Sequence, residues 1–364
     1  MRGSAMLSQI LWAAAAGFAG SVGLIAAVRE WAHRRALLDH PNERSLHSRP
    51  TPRGGGLGIV VSVLVCLLVL AVTDSTVRAP IGWIAGVGAV LAAVGLTDDI
   101  RGLPAVARLL LQTAGAVALT SALGYWRVFA WPGPGEVTLG WFGFPLTLVL
   151  VVGLTNAYNF MDGIDGIAGA QGVAAGLGWA GAGVAIQEPA VATTGAVLAA
   201  SSLGFLVFNW PPASIFMGDV GSSFLGFMLA ALVVMAAPRS PDVALAGVLF
   251  VWPFVFDTTF TFLRRMRRGE HLLSAHRTHL YQRLILTGVT HRAVTVTYGA
   301  LALVGVTTGL AVVHAARGAS IAGAISICVL AAGLWIAVVW RERAARARTD
   351  RDTQGFGEPG PKMS

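Results

Sequence analysis

Four short polar stretches carry most of the chemistry open to this chain: Thr97-Asp98-Asp99, the run from Asn156 to Gly166, Phe216-Met217-Gly218-Asp219, and His276-Arg277-Thr278-His279. Each falls at the end of an apolar run. Carboxylates are costly beside hydrocarbon, so their grouping with a basic, His-bearing segment points to a Mg²⁺-dependent phosphate site at one membrane face. Asp98 and Asp99 are adjacent like charges that repel unless a cation or proton lies between them, the bland alternative being a solvated pair. On a continuous helix Asn159, Asp162 and then Asp165 or Gly166 fall near one face, and Gly163 and Gly166 leave room for a ligand beside the acids.

Asp219 follows Asn209-Trp210-Pro211-Pro212, where two prolines break a span, and it precedes Ser222-Ser223, which can cap the next helix. Mg²⁺ takes one or two protein carboxylates plus substrate phosphates, and Asp219 with Asn159 or Asp162 meets that demand. The segment 263–293 supplies counter-charge through Arg264, Arg265, Arg267, Arg268, Arg277 and Arg283. Most of these arginines serve topology and anionic headgroups; His276, Arg277 and His279 are singled out, since guanidinium grips phosphate bidentately and imidazole shuttles protons. Gly54-Gly55-Gly56, after Arg53, either lets backbone N–H groups approach a phosphate or makes a tight turn.

The elements that must position these residues are membrane helices. Of 364 residues 55% are hydrophobic and only 12% charged, and apolar runs near the ~20 residues that cross a bilayer recur throughout. The expected fold is an all-α polytopic membrane protein with about eleven transmembrane helices, near 7–28, 55–73, 80–97, 105–124, 139–157, 167–187, 191–208, 220–237, 243–262, 294–314 and 319–340. Placing 29–53, 98–104, 158–166, 209–219, 263–293 and the tail on one side gathers there 21 of the 26 Lys and Arg residues, counting Arg108. That bias makes the rich side cytoplasmic, with the N-terminus outside and the C-terminus inside. All four polar stretches then share the cytoplasmic face. The first span reads as an anchor held by Arg29, Arg34 and Arg35 rather than a cleaved signal. Residues 1–340 form one membrane domain and 341–364 a basic, disordered tail. Cys66 and Cys328 stand alone in separate spans as small hydrophobes. The arginines are spread over membrane-side loops, which speaks against nucleic acid as a partner.

Taken in order, Asp39-His40-Pro41-Asn42, Pro52-Arg53-Gly54-Gly55, Asp98-Asp99, Asn159-Phe160-Met161-Asp162-Gly163-Ile164-Asp165-Gly166, Asn209, Phe216-Met217-Gly218-Asp219 and the late His/Arg loop resemble the bacterial polyprenyl-phosphate N-acetylhexosamine-1-phosphate transferases, over about residues 35–285. The resemblance implies transfer of a sugar 1-phosphate from a UDP-N-acetylhexosamine to undecaprenyl phosphate at the bacterial inner membrane, with release of UMP. It implies Mg²⁺, or Mn²⁺ in its place, on Asp219 and Asn159. Asn209, Phe216 and Asp165 would lie around the uridine with His276 on the substrate side, and Asp98, Asp99, Asp162, Arg277 and His279 would be catalytic. Asp98 would orient the acceptor phosphate or deprotonate it. Where many relatives carry His-x-His-His, this chain reads His279-Leu280-Tyr281-Gln282, closer to the O-antigen-initiating branch. GlcNAc is the leading sugar, followed by a 6-deoxy amino sugar such as FucNAc or QuiNAc.

Other functions fit less well. A transporter would hold its acids near the bilayer midplane. An intramembrane aspartyl protease would need Gly-x-Gly-Asp, where this chain has Phe216 two residues before Gly218. A CDP-alcohol phosphotransferase would carry further spaced aspartates after Asp165-Gly166. Small-residue faces such as Gly82-Gly86 can pack helices within one chain or between two, leaving a homodimer open.

Overall fold

The computed structural model describes residues 2–35, 38–39, 46, 50–131, 135–271 and 276–355. His40, Pro41, Asn42, His47, Ser48 and Arg49 of the first basic loop lie outside the described residues.

Among the described residues thirteen α-helices make the bundle: α1 (Arg2–Arg34), α2 (Gly56–Thr73), α3 (Arg78–Arg101), α4 (Ala105–Leu123), α5 (Gly143–Met161), α6 (Ile167–Ala185), α7 (Pro189–Asn209), α8 (Asp219–Ala236), α9 (Pro241–Leu249), α10 (Trp252–Arg267), α11 (Leu280–Leu286), α12 (His291–Val313) and α13 (Arg317–Gly355). Two small antiparallel ribbons accompany them. Strands β1 (Leu38–Asp39) and β2 (Thr51–Pro52) pair Asp39 with Thr51, and β3 (Val128–Trp131) pairs with β4 (Gly135–Thr138).

Among the described residues nine helices are long and apolar enough to cross a membrane, and α9 with α10 adds a tenth if that pair, bent by 70°, counts as one span. The fold is therefore a polytopic helical membrane protein. The remaining expected span, 167–187, is α6, a 19-residue helix rich in glycine and alanine that falls short of the other nine in apolarity. It is held by packing instead, largely buried against α7 and α12. Helix α13 does not stop at residue 340, where a tail was expected, but continues to Gly355.

Helix α8 is the axis of the bundle, 94% buried across its apolar window, with α3 and α5 packed along it. Polar breaks set where its neighbours end. Gly102, at φ 68°, stops α3, and Pro211 and Pro212, which offer no backbone donor, follow the end of α7. The C-terminal ends of α3, α5 and α7 thus meet the N-termini of α8 and α12 at one end of the bundle.

Candidate active site

The site grows from the close approach of α3 to the start of α8. Gly95 makes it possible: a Cβ there would lie 2.6 Å from the Asp219 carbonyl oxygen. One turn further along α3, Asp99 accepts the Asp219 N–H at 2.9 Å and the Val220 N–H at 3.0 Å. A carboxylate from another helix therefore caps α8, where unpaired N–H groups and the helix dipole favour negative charge. Ser222 and Ser223 do not cap it, contrary to expectation; Ser222 Oγ donates to the Gly218 carbonyl and accepts Asn159 Nδ2 at 3.0 Å. Gly218, at φ 78°, has no room for a side chain, because a Cβ would lie 2.7 Å from Asp99 Oδ2.

Successive helical positions send Asp98 and Asp99 to different partners. Asp98 accepts the Leu103 N–H at 2.6 Å and pairs with Arg108, whose Nη1 also lies 3.3 Å from Asp219 Oδ2. Arg53 Nη2 lies 2.9 Å from Asp99 and 3.2 Å from Asp219. The repulsion read from the sequence is thus met by two arginines and a helix N-terminus. Burial works against the charge on Arg53, but Asp99, Asp219 and Asp39 outweigh it and raise its pKa. Arg53 is placed by its neighbours' backbone: Gly54 and Gly55 donate to the Phe216 carbonyl and Gly56 to that of Met217. The glycine run makes the tight turn, and its N–H groups are already bonded.

A cavity of about 320 Å³ opens beside this corner, lined by Arg53, Asn159, Asp162, Asp165, Asn209, Phe216, Asp219, Gln282 and His291 among others. Six sequence-predicted residues share it. They do not arrive on one continuous helix, however, because α5 ends at Met161, Asp162 caps it, and residues 162–166 form a loop. Gly163 faces Tyr281, and a Cβ there would overlap the Tyr281 hydroxyl. Asn209 commits both ends of its amide, accepting the Gly166 N–H and donating to the Ile215 carbonyl, each at 2.8 Å. Asp165 accepts the Ala213 N–H at 3.0 Å and lies 3.4 Å from His291 Nδ1. Half-buried Asp162 is held well above the usual carboxylate pKa, first by burial and then by the neighbouring Asp219.

Asp98, Asp99, His276, Arg277 and His279 stand outside the cavity lining. The first two support it from behind Asp219. The His loop abuts it through α11, since Tyr281 donates to the Phe160 carbonyl at 3.0 Å and the His279 and Phe160 rings lie 6.3 Å apart. Burial, then His279 and Arg265, pushes the His276 pKa down to about 4, so its ring is neutral near pH 7. Arg277 Nη2 is buried with no hydrogen-bond partner among the described residues. Arg108, His291 and Asp257 escaped the sequence reading, and Arg53 entered it only as part of a motif, with no role in the site. Asp257, wholly buried in α10, accepts the Leu280 and Tyr281 N–H groups and lies 3.2 Å from His279 Nδ1. A lone Asp in an aromatic span was its only signal.

The profile of glycosyl transferase family 4 matches residues 81–237. A probable undecaprenyl-phosphate N-acetylglucosaminyl 1-phosphate transferase of Bacillus subtilis is 32% identical, with 73% of this chain and 74% of that protein covered. A decaprenyl-phosphate N-acetylglucosaminephosphotransferase of Mycobacterium tuberculosis is 35% identical, with 73% of each covered. A phospho-N-acetylmuramoyl-pentapeptide-transferase of Halalkalibacterium halodurans is 31% identical over 70% of this chain and 80% of its own.

Proposed function

Because the chain belongs to the polyprenyl-phosphate N-acetylhexosamine-1-phosphate transferases of glycosyl transferase family 4, we propose that it moves GlcNAc 1-phosphate from UDP-GlcNAc to undecaprenyl phosphate and releases UMP. It is a sugar-phosphate transferase; the sugar, the acceptor and the role in starting a surface glycan such as O-antigen are our reading. The observation that carries it is one cavity at the start of α8, lined by Asn159, Asp162, Asp165 and Asp219 together with Arg53. A pyrophosphate needs both signs of charge, cationic groups for its oxygens and carboxylates for the cation that accompanies it.

An oxygen of the acceptor phosphate attacks the sugar-bearing phosphorus, a new P–O–P bond forms, and the bond to UMP breaks. The acceptor monoester, with a second pKa of about 6, is already largely dianionic at neutral pH, so a strong base is not required and Asp98 orients it through the Arg108 guanidinium it holds. Asp219, with Asn159 and Asp162 beside it, would hold Mg²⁺ or Mn²⁺. The donor set fits, being hard oxygens lining one cavity; among the described residues no three His, Cys, Asp or Glu side chains form a metal cage, and waters with substrate phosphate oxygens would complete the shell. When bound, the cation neutralises charge on the pyrophosphate and the departing UMP. Arg53 and Arg108 hold the carboxylate corner together, and Arg277 offers to a phosphate oxygen its buried Nη2, which has no partner among the described residues. His279 serves as the proton-carrying group beside the leaving phosphate.

The positive-inside bias supports a cytoplasmic reading of this end of the bundle, on the side where UDP-sugars are found, with the acceptor's lipid tail lying in the inner membrane. The test is a UDP-sugar panel with purified enzyme, Mg²⁺ and undecaprenyl phosphate, scored for lipid-linked product and UMP. UDP-GlcNAc should turn over fastest; preference for UDP-FucNAc or UDP-QuiNAc would change the sugar, and no product with any of them would overturn the reading.

A further inference from the structure

We propose that Asp257 is the positioning residue for His279, fixing which ring nitrogen is presented to the reacting phosphates; the inference rests on the assignment of His279 to the transfer reaction. Asp257 lies in the second turn of α10 with no solvent exposure. An isolated carboxylate there would be very costly, and this one is satisfied by five donors from three helices and the loop before α11. Oδ1 accepts Leu280 N–H at 2.8 Å and lies 3.2 Å from both His279 Nδ1 and Thr261 Oγ1. Oδ2 accepts Tyr281 N–H at 3.1 Å and the Tyr298 hydroxyl at 2.6 Å.

Three of the five donors come from consecutive residues, 279 to 281, so the carboxylate sets the place where the His loop becomes helix. Two backbone bonds would suffice for capping. The third, to the imidazole, has a chemical consequence: Nδ1 must carry the proton, which leaves Nε2 of the neutral ring bare and able to take up and return a proton. Packing holds the ring plane. Tyr281 stacks at 5.9 Å and 25°, Phe160 lies at 6.3 Å, and the His276 ring is 5.0 Å away. Phe160 directly follows Asn159, and its carbonyl accepts the Tyr281 hydroxyl, so the dyad is tied to the helix end that carries the cavity residues.

A double-mutant cycle separates positioning from mere capping. With UDP-GlcNAc, undecaprenyl phosphate and Mg²⁺, His279→Ala should lower kcat about 100-fold, in the range for a lost proton-transfer group. Asp257→Asn should lower it about tenfold or more, as loss of a ligand's orienting partner does, while KM for UDP-GlcNAc stays nearly constant. The double variant should be no slower than His279→Ala alone within about twofold, because residues acting as one unit are not additive. If the two losses multiply, Asp257 acts independently of His279 and the proposal falls while the role of His279 stands. A wild-type rate for His279→Ala removes the assignment of His279, and the proposal with it. Should Asp257→Asn fail to fold, ¹⁵N-histidine spectra of the unmutated protein decide, taken where imidazoles are neutral. The signals missing in His279→Ala must be those of an Nδ1–H tautomer; an Nε2–H tautomer overturns the proposal.

Discussion

Asp219 and Asp257 sit at the same end of the bundle, yet their surroundings are opposite. The Asp219 carboxylate is 23% exposed on a cavity wall and balanced by two arginines on long, flexible stems that it shares with Asp98 and Asp99. Asp257 is sealed, its two oxygens taken up by backbone N–H groups, a hydroxyl pair and an imidazole. Shared, partly solvated ion pairs can be exchanged for a cation and phosphate oxygens at modest cost. A saturated buried carboxylate cannot be exchanged, because removing any partner leaves charge in a low dielectric. Adjacent clusters thus divide the work: one is open to ligands, and the other holds shape.

The largest expected break in that division is at the open cluster. Asp219→Asn should reduce transfer by about 10³-fold, the scale of losing a principal electrostatic group, while thermal unfolding in detergent stays near wild type. Full turnover in excess chelator, or an unchanged rate for the variant, would deny Asp219 its cation.

Asp98→Asn comes next. Single-turnover transfer to undecaprenyl phosphate should fall about 100-fold through lost orientation of the acceptor, whereas calorimetry should find UDP-sugar affinity intact. Loss of donor binding with unchanged transfer at saturating donor would reverse these roles.

A smaller effect separates the arginines of the His loop. Arg277→Lys should lose about tenfold because an ammonium cannot reproduce a planar two-pronged grip, and exposed Arg268→Lys should be nearly silent. Equal behaviour would return Arg277 to the basic girdle of the membrane face.

The smallest effect is on stability. The Asp162 pKa is raised in the fold, so the protonated form is favoured there and ionisation destabilises the cation-free protein. That penalty is absent below the ordinary carboxylate pKa and grows as pH rises towards the raised folded value. Asp162→Asn should therefore melt a few degrees higher than wild type at pH 7 without divalent cation, the gap closing as pH falls towards 4. A lower melting point at pH 7 would show that the carboxylate is well solvated.

Much of this was legible in the chain. Apolar runs marked the membrane helices, and their polar ends marked the candidate site, because hydrocarbon tolerates charge only where function or a partner requires it. Of the cavity residues, Asn159, Asp162 and Asp219 could be named from their types and spacing, while Asp165, Asn209 and Phe216 took their expected roles from the family resemblance. The roles of Asp99 and Asn209 were not legible: both side chains bond backbone groups of segments far away in sequence, and no local pattern announces such a partner. Asp257 was missed for the same reason.

The sequence by itself determined the class of molecule, the end of the bundle where the candidate site lies and the residue types available there, since burial energetics and charge bias act segment by segment. Only the tertiary structure decided which acid meets a ligand and which holds a helix. That choice depends on how closely α3, α8, α10 and α11 approach one another, and on which carboxylate the approach seals away from water.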